Sequence, residues 1–396
     1  MSVNNWLNKK VKEHNNQKID LSILKDLIGK LKIDLPKKII SITGTNGKGS
    51  TANFINEILK NNSYSAGLYT SPHLIDYNER IKINGINISD NKLKKTFSKI
   101  EKQFEKEKLN FYQILSLTAF KYFSDNKLDI WILEAGLGGR LDPINCFDAY
   151  LSIITNISFD HKEILGSDLN SIGNEKAGIL RNNQKLIFGS EEMPDSVKQK
   201  IKSLDVELYK INEDKHQKKV PAYENAMRIA EKAINIIDPK ISKRKINISI
   251  KDTKILGRCD LINNKFLIDV AHNEKAIENL RKFILKNSLN KYDISAIFHC
   301  SETKNPLTLI QPLKEFISEL RVPKINNFRL HDEKYLRRTL KKRLEININV
   351  DESLEKSIKN IKLRKSESLI LVFGSFYLAG EFYKLPLSKN AVSYTH

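Results

Sequence analysis

Cysteine is scarce in this chain. Cys146, Cys259 and Cys300 stand far apart, without the paired spacing that a zinc site or a redox couple requires. They read as buried or half-buried thiols of a cytosolic protein. Long apolar runs are missing as well. The nearest, Leu369 to Ala379, is broken by glycine and serine and falls short of a membrane span, so no membrane partner is expected. Met1 to Gln17 is polar and basic and lacks the apolar core of a secretory leader, which makes a cytoplasmic location the expectation. Patterns of nucleic-acid recognition are equally hard to find: aromatics are not interleaved with arginines, and no helix-turn-helix, RRM or zinc pattern stands out.

What is present is enough for two or three sizeable domains. The 396 residues are 40% hydrophobic and 29% charged, the balance of a soluble globular protein. The net charge of +20 raises nucleic acid as a rival partner. The lysines are spread along the whole chain, however, which fits a general lysine bias and attraction for anionic substrates better. No nucleic-acid partner is expected.

The richest stretch is Ile39 to Thr51. Ile39 to Thr43 reads as a buried strand, Gly44-Thr45-Asn46-Gly47-Lys48-Gly49 as a turn, and Phe54, Ile55, Ile58 and Leu59 return at helical spacing. Glycines at a strand-to-helix junction let backbone N–H groups turn inward around an anion, and the helix N-terminus adds its positive dipole end. Lys48 adds a mobile point charge, and Ser50 or Thr51 a hydroxyl for Mg²⁺. The strict Walker spacing is not met, since Ile42 replaces its first glycine and Gly49 separates Lys48 from Ser50. The stretch is nonetheless a nucleotide-phosphate loop.

Further along, several strands end in polar residues. Ala66 to Tyr69 runs into Thr70-Ser71-Pro72-His73, whose small hydroxyls suit a hard cation. Leu128 to Leu133 leads to Glu134, a carboxylate where open α/β sheets place ligand-binding groups. Tyr150 to Thr155 approaches Asp160-His161, where chemistry alone favours a structural or acid–base histidine. Phe266 to Val270 carries Asp269. Residues 91–108 read as an exposed helix, and 190–250 as a charged, exposed segment followed by an amphipathic helix.

Taken together, these motifs resemble the Mur ligase superfamily. The loop's Gly-Lys-Gly-Ser ending resembles its folate branch, the dihydrofolate synthases and folylpolyglutamate synthases. The resemblance spans about residues 14 to 382 and includes Glu134-Ala-Gly-Leu-Gly-Gly-Arg-Leu-Asp142, Glu175-Lys-Ala-Gly-Ile179, Leu256-Gly-Arg258 and Asp269-Val-Ala-His-Asn273. It implies ATP bound by Thr45, Asn46, Gly47, Lys48, Gly49, Ser50, Arg258 and Asp269. It implies Mg²⁺ held by Ser71, Glu134, His161 and Lys176, the lysine carbamylated by CO₂. Lys48, Arg258, Lys176 and His161 carry the catalytic roles, with Arg258 reaching to the transferring phosphate. The pterin site falls to Gln17, Lys18, Ile19, Asn110, Phe111, Tyr112, Gln113, Leu141, Asp142 and Pro143. Gln113, Pro143, Leu256 and Val270 depart from the family's usual glutamate, alanine, proline and glycine.

The implied architecture is α/β. An N-terminal P-loop ATPase-type domain with a mostly parallel sheet (1–252) precedes a smaller C-terminal Rossmann-like domain (253–396), with the site in the cleft. The implied reaction joins L-glutamate to dihydropteroate or to folates through an acyl phosphate, in a monomer. Two alternatives remain. One is a peptidoglycan Mur ligase with a UDP-linked acceptor, and the other an ATP-dependent nucleic-acid-binding protein.

Overall fold

The computed structural model describes residues 2–14, 20–211, 223–361 and 368–389. Two compact units emerge, one of residues 1–213 and 225–253 and the other of 214–224 and 254–396.

The first unit is built on an eight-stranded sheet. Its strands are β1 (Lys38–Thr43), β2 (Ala66–Tyr69), β3 (Ile81–Ile83), β4 (Ile86–Asn87), β5 (Ile130–Glu134), β6 (Leu151–Ile154), β7 (Lys185–Phe188) and β8 (Glu207–Lys210), in the order β4-β3-β2-β5-β1-β6-β7-β8. All neighbours are parallel except the β2–β3 and β3–β4 pairs. The central strands are buried along their length, which is why they read as unbroken β-branched runs rather than alternating patterns. In register, Ile42 pairs with Glu134 and Thr43 with Ile154, so the phosphate loop and Glu134 leave the sheet side by side.

Helices cover both faces. The Lys48–Lys60 helix buries Phe54, Ile55, Ile58 and Leu59. The Asp90–Gln103 helix buries Leu93, Phe97 and Ile100 against the Phe111–Asp125 helix and Trp131 core. The expectation of an exposed helix at 91–108 is therefore corrected. Its lysines dominate the composition, yet its apolar residues fall on one face. The charged stretch after 190 likewise holds an Asp195–Ser203 helix anchored by Val197, and the edge strand β8. Single apolar anchors and a short edge strand leave little periodic signal.

The second unit holds β9 (Asp260–Ile262), β10 (Phe266–Asp269), β11 (Asp293–Phe298), β12 (Ile317–Pro323), β13 (Asn347–Asp351) and β14 (Ser368–Phe373). Their order is β13-β12-β11-β14-β10-β9, parallel apart from β9. Leu267, Ala296, Phe298, Leu320 and Leu371 form its core with Ile277, Leu280 and Leu336 from flanking helices. The fold is thus α/β with two mostly parallel sheets. No helix among the described residues is long and apolar enough to cross a membrane.

Candidate active site

The carboxyl ends of β1, β2, β5 and β6 converge on the phosphate loop. Gly44 takes φ +144°, and a Cβ there would meet Thr155 Oγ1 at 1.9 Å, so only glycine lets β1 pass this close to the end of β6. The loop is then tied down from β6. Thr45 N–H donates to Asn156 O (2.9 Å) and Asn46 N–H to Asn156 Oδ1 (3.1 Å). Thr155 Oγ1 and Asn156 Nδ2 both donate to Asn46 O, at 2.7 and 2.8 Å. Thr45 Oγ1 donates to Ser158 O and accepts from Ser158 N–H. These residues, which follow β6, were not singled out in the sequence. The run Thr155-Asn156-Ile157-Ser158 after a strand was the available signal.

Gly47 stands at the N-cap of the Lys48–Lys60 helix without a capping side chain. The helix dipole at this end favours negative charge, and the first-turn N–H groups point the way an anion would approach. Lys48 is half-buried. Its ammonium folds back onto the carbonyls of Gly44 and Thr45, at 3.0 and 3.2 Å. Ser50 and Thr51 are buried in the first turn.

The structure brings Ser71 and Glu134 together beside this loop. Glu134, 3% exposed, accepts Ser71 N–H at 3.0 Å, and a Cβ on Gly49 would stand 3.3 Å from its carboxylate. Lys176 comes from the Leu169–Ala177 helix and is buried, donating from Nζ to Gly44 O at 2.9 Å. Burial, and then the neighbouring positive charge of Lys48, pull its pKa down to about 7 against the pull of Asp160. A substantial neutral fraction near neutrality makes this amine a nucleophile that an exposed lysine is not. His161 has a half-exposed ring and a left-handed backbone (φ +49°), with Asp160 and Glu163 oxygens 3.9 and 3.7 Å from its nitrogens.

The candidate acceptor residues gather at the start of the Phe111–Asp125 helix and in the loop after β5. Asn110 and Gln113 form a reciprocal capping box: Gln113 N–H donates to Asn110 Oδ1 (2.9 Å) and Asn110 N–H to Gln113 Oε1 (2.8 Å). Glutamine serves that position as well as glutamate does, which gives the departure at 113 a physical basis. Phe111 packs edge-on against Tyr77, and its N–H donates to His14 O. Tyr112 points a buried hydroxyl at Gly136, beside Ser71, Tyr69 and Asp142. Asp142 is buried. Its carboxylate accepts N–H groups of Gly136 (2.8 Å), Leu137 (3.4 Å) and Ile144 (3.1 Å). Burial raises its pKa to about 6 despite those bonds. Pro143 is buried next to it, while Leu141 is 42% exposed. Gln17, Lys18 and Ile19 lie outside the described residues.

In the second unit, Asp269 ends β10 and accepts N–H groups of Cys259 (2.7 Å) and Ala271 (2.6 Å). The Arg258 guanidinium lies 4.9 Å from the Phe376 ring centroid. His272 Nδ1 is 2.9 Å from Val270 O, a loop-fixing contact.

Comparison with known proteins follows the same lines. Residues 42–266 match the Mur ligase middle domain. The dihydrofolate synthase/folylpolyglutamate synthase of Buchnera aphidicola from Schizaphis graminum is 32% identical, over 96% of this chain and 95% of its own length. Escherichia coli FolC in complex with DHPP and ADP superposes with a TM-score of 0.85 at 25% identity, covering 97% of both chains. The Yersinia pestis bifunctional folylpolyglutamate synthase/dihydrofolate synthase complexed with AMPPNP and Mn ion gives 0.85 at 25% identity, over 97% of this chain and 98% of that one. Over nearly its whole length, the chain belongs to the dihydrofolate synthase/folylpolyglutamate synthase family of Mur ligases.

Proposed function

We propose that this protein uses ATP to join L-glutamate to the carboxylate of dihydropteroate, or of a folate already carrying glutamate, through an acyl phosphate. The observation that carries the reading is one sheet edge. An uncapped helix N-terminus, Lys48, Ser71, Glu134 and the buried amine of Lys176 meet there.

Each residue has a task that its surroundings allow. N–H groups at the start of the Lys48–Lys60 helix, with Lys48 swung off the Gly44 carbonyl, hold the phosphates of ATP. Thr45 and Asn46 keep the loop in shape. The oxygen donors Ser71, half-buried, and Glu134, buried, fit a hard divalent cation, Mg²⁺ by preference. Lys176, carbamylated, and His161 complete that set on the evidence of family resemblance. When bound, the cation offsets charge on the phosphates. Arg258 stabilises the transferring phosphoryl group, and Asp269 serves the nucleotide. The acceptor carboxylate attacks the γ-phosphorus and ADP leaves. The glutamate amine then attacks the acyl carbon, and inorganic phosphate departs with the electron pair of the broken C–O bond. No protein nucleophile is required, so the residues act by positioning and electrostatics. Asp142, Tyr112, Phe111, Leu141 and Pro143 form the acceptor site.

Phosphate release tests the proposal. With ATP and Mg²⁺ present, dihydropteroate plus glutamate should stimulate it, and a reduced folate plus glutamate should do so if both activities reside here. Stimulation by a UDP-muramoyl acceptor or by DNA, with none from pteroates, would overturn it. The protein is expected to work in the cytoplasm as a monomer, which gel filtration checks.

A further inference from the structure

We propose that Tyr383 is a positioning residue for Arg258, acting through the backbone turn that carries it. The inference rests on the role given to Arg258 above and deepens it.

The turn from Ile255 to Cys259 is unusual in its backbone. Gly257 takes φ +71° and Cys259, with a Cβ, takes φ +46°. Glycine takes this region freely, but Cys259, with its Cβ, holds it only where the surroundings over-determine it. Leu256 is 47% exposed and supplies no ring to restrict the chain before Gly257. The constraint comes instead from five hydrogen bonds. Tyr223 Oη donates to Ile255 O at 2.7 Å. Gly257 N–H donates to Tyr383 Oη at 2.8 Å, and Val270 N–H to Gly257 O at 2.9 Å. Cys259 N–H donates to Asp269 Oδ2 at 2.7 Å. Tyr383 Oη in turn donates to Asp260 Oδ2 at 2.6 Å.

Tyr383 is central to this set. Its hydroxyl accepts from the turn and donates to a carboxylate that is 3% exposed, and the tyrosine itself is 8% exposed. The carboxylate polarises the phenol oxygen and makes it a stronger acceptor for Gly257 N–H. Burial and the Asp260 charge push the phenol's pKa up, so the proton stays in place. The same Phe376–Lys384 helix presents Phe376 to the Arg258 guanidinium. Residues 376 and 383 are seven apart, two turns on one face. One helix therefore holds Arg258 at both ends, the planar group through Phe376 and the backbone through Tyr383. Val270 N–H and Asp269 fasten the remaining side of the turn, so the nucleotide residue Asp269 and Arg258 are set by one frame.

The test uses the full chain and steady-state phosphate release with saturating ATP, dihydropteroate and glutamate. Tyr383→Phe keeps the ring and removes the hydroxyl. A misplacement of about 1 Å costs on the order of 100-fold, so a loosened turn should lower kcat about tenfold, with KM for ATP and dihydropteroate within about twofold. In an Arg258→Ala background the same change should cost nothing further. A kcat within twofold of the parent, or an equal loss in the Arg258→Ala background, overturns the positioning role while leaving the function intact. Near-parental turnover of Arg258→Ala itself overturns the role of Arg258, and Tyr383 falls with it. If Tyr383→Phe does not fold, Asp260→Asn replaces it. That variant keeps an acceptor for the phenol, so kcat should fall about threefold by the same positional argument, and only when Arg258 is present; unchanged turnover refutes the proposal.

Discussion

Replacing Lys176 with methionine should inactivate the enzyme and stabilise it. Methionine keeps a linear stem and removes the amine. In the native state the lysine's pKa falls from the ordinary 10.5 to about 7, with burial as the main cause and Lys48 second. The gap of about 3.5 pH corresponds to about 5 kcal/mol at 1.36 kcal/mol per unit. Below about pH 7 the amine is charged in both folded and unfolded chains, and the full penalty weighs on the fold. Between about 7 and 10.5 the unfolded chain holds a proton that the native one has lost, so native stability rises with pH. Above 10.5 the penalty is gone. Methionine also removes one of the two ammonium donors on the Gly44 carbonyl, the Lys48 bond remaining, a loss of about 1–3 kcal/mol for a hydrogen bond to a charged group. The net gain expected at pH 6–7 is therefore about 2–4 kcal/mol, from the difference of those two estimates. It should shrink toward pH 10. Urea unfolding in CO₂-free buffer across that pH range measures it. Adding bicarbonate at pH 8 should narrow the difference between the two proteins, because the carbamate relieves the buried amine. A methionine variant no more stable than the parent at pH 6.5, or one that still ligates glutamate, would refute this account of Lys176. Arginine at this position should be inactive as well, since it stays cationic and forms no carbamate.

Three other outcomes are expected. Lys48→Ala should abolish ligation with little change in melting temperature, because the side chain contacts loop carbonyls rather than the core; retained turnover would dismiss the phosphate-loop role. Asp142→Asn should raise KM for dihydropteroate far more than KM for ATP, and in the parent KM for the acceptor should shift as the carboxyl titrates near pH 6. Equal effects on both substrates would assign Asp142 to loop structure alone, where it already holds three backbone N–H groups. Gly136→Ala would set a Cβ 2.6 Å from Tyr112 Oη. It should displace that ring and weaken acceptor binding at least tenfold, about the effect of one unfavourable contact of 1.4 kcal/mol, while ATP binding measured by calorimetry stays the same.

The sequence by itself determined the strand–loop–helix at Ile39 to Leu59 and the α/β class. Buried parallel strands read as unbroken β-branched runs, and glycines at a phosphate loop leave a local signature that needs no partner. Family membership was legible for the same reason, since Gly-Thr-Asn-Gly-Lys-Gly-Ser and Glu134 to Asp142 are contiguous strings. Other features come from groups far apart in the chain, and only the tertiary structure decided those. Nothing near Lys176 in sequence marks it as buried; the depressed pKa arises because its helix seats Nζ on Gly44, 132 residues away, beside Lys48. In sequence Gln113 is only a departure from the family's usual glutamate, and the capping box with Asn110 gives it work to do in the helix start. Thr155 and Asn156 look like ordinary strand-end residues, and their grip on the phosphate loop exists only because β6 lies parallel to β1. Tyr383 met Gly257 across 126 residues. Periodicity and motif report what a residue's neighbours along the chain require, whereas burial and long-range hydrogen bonds depend on which strand ends the sheet order brings together.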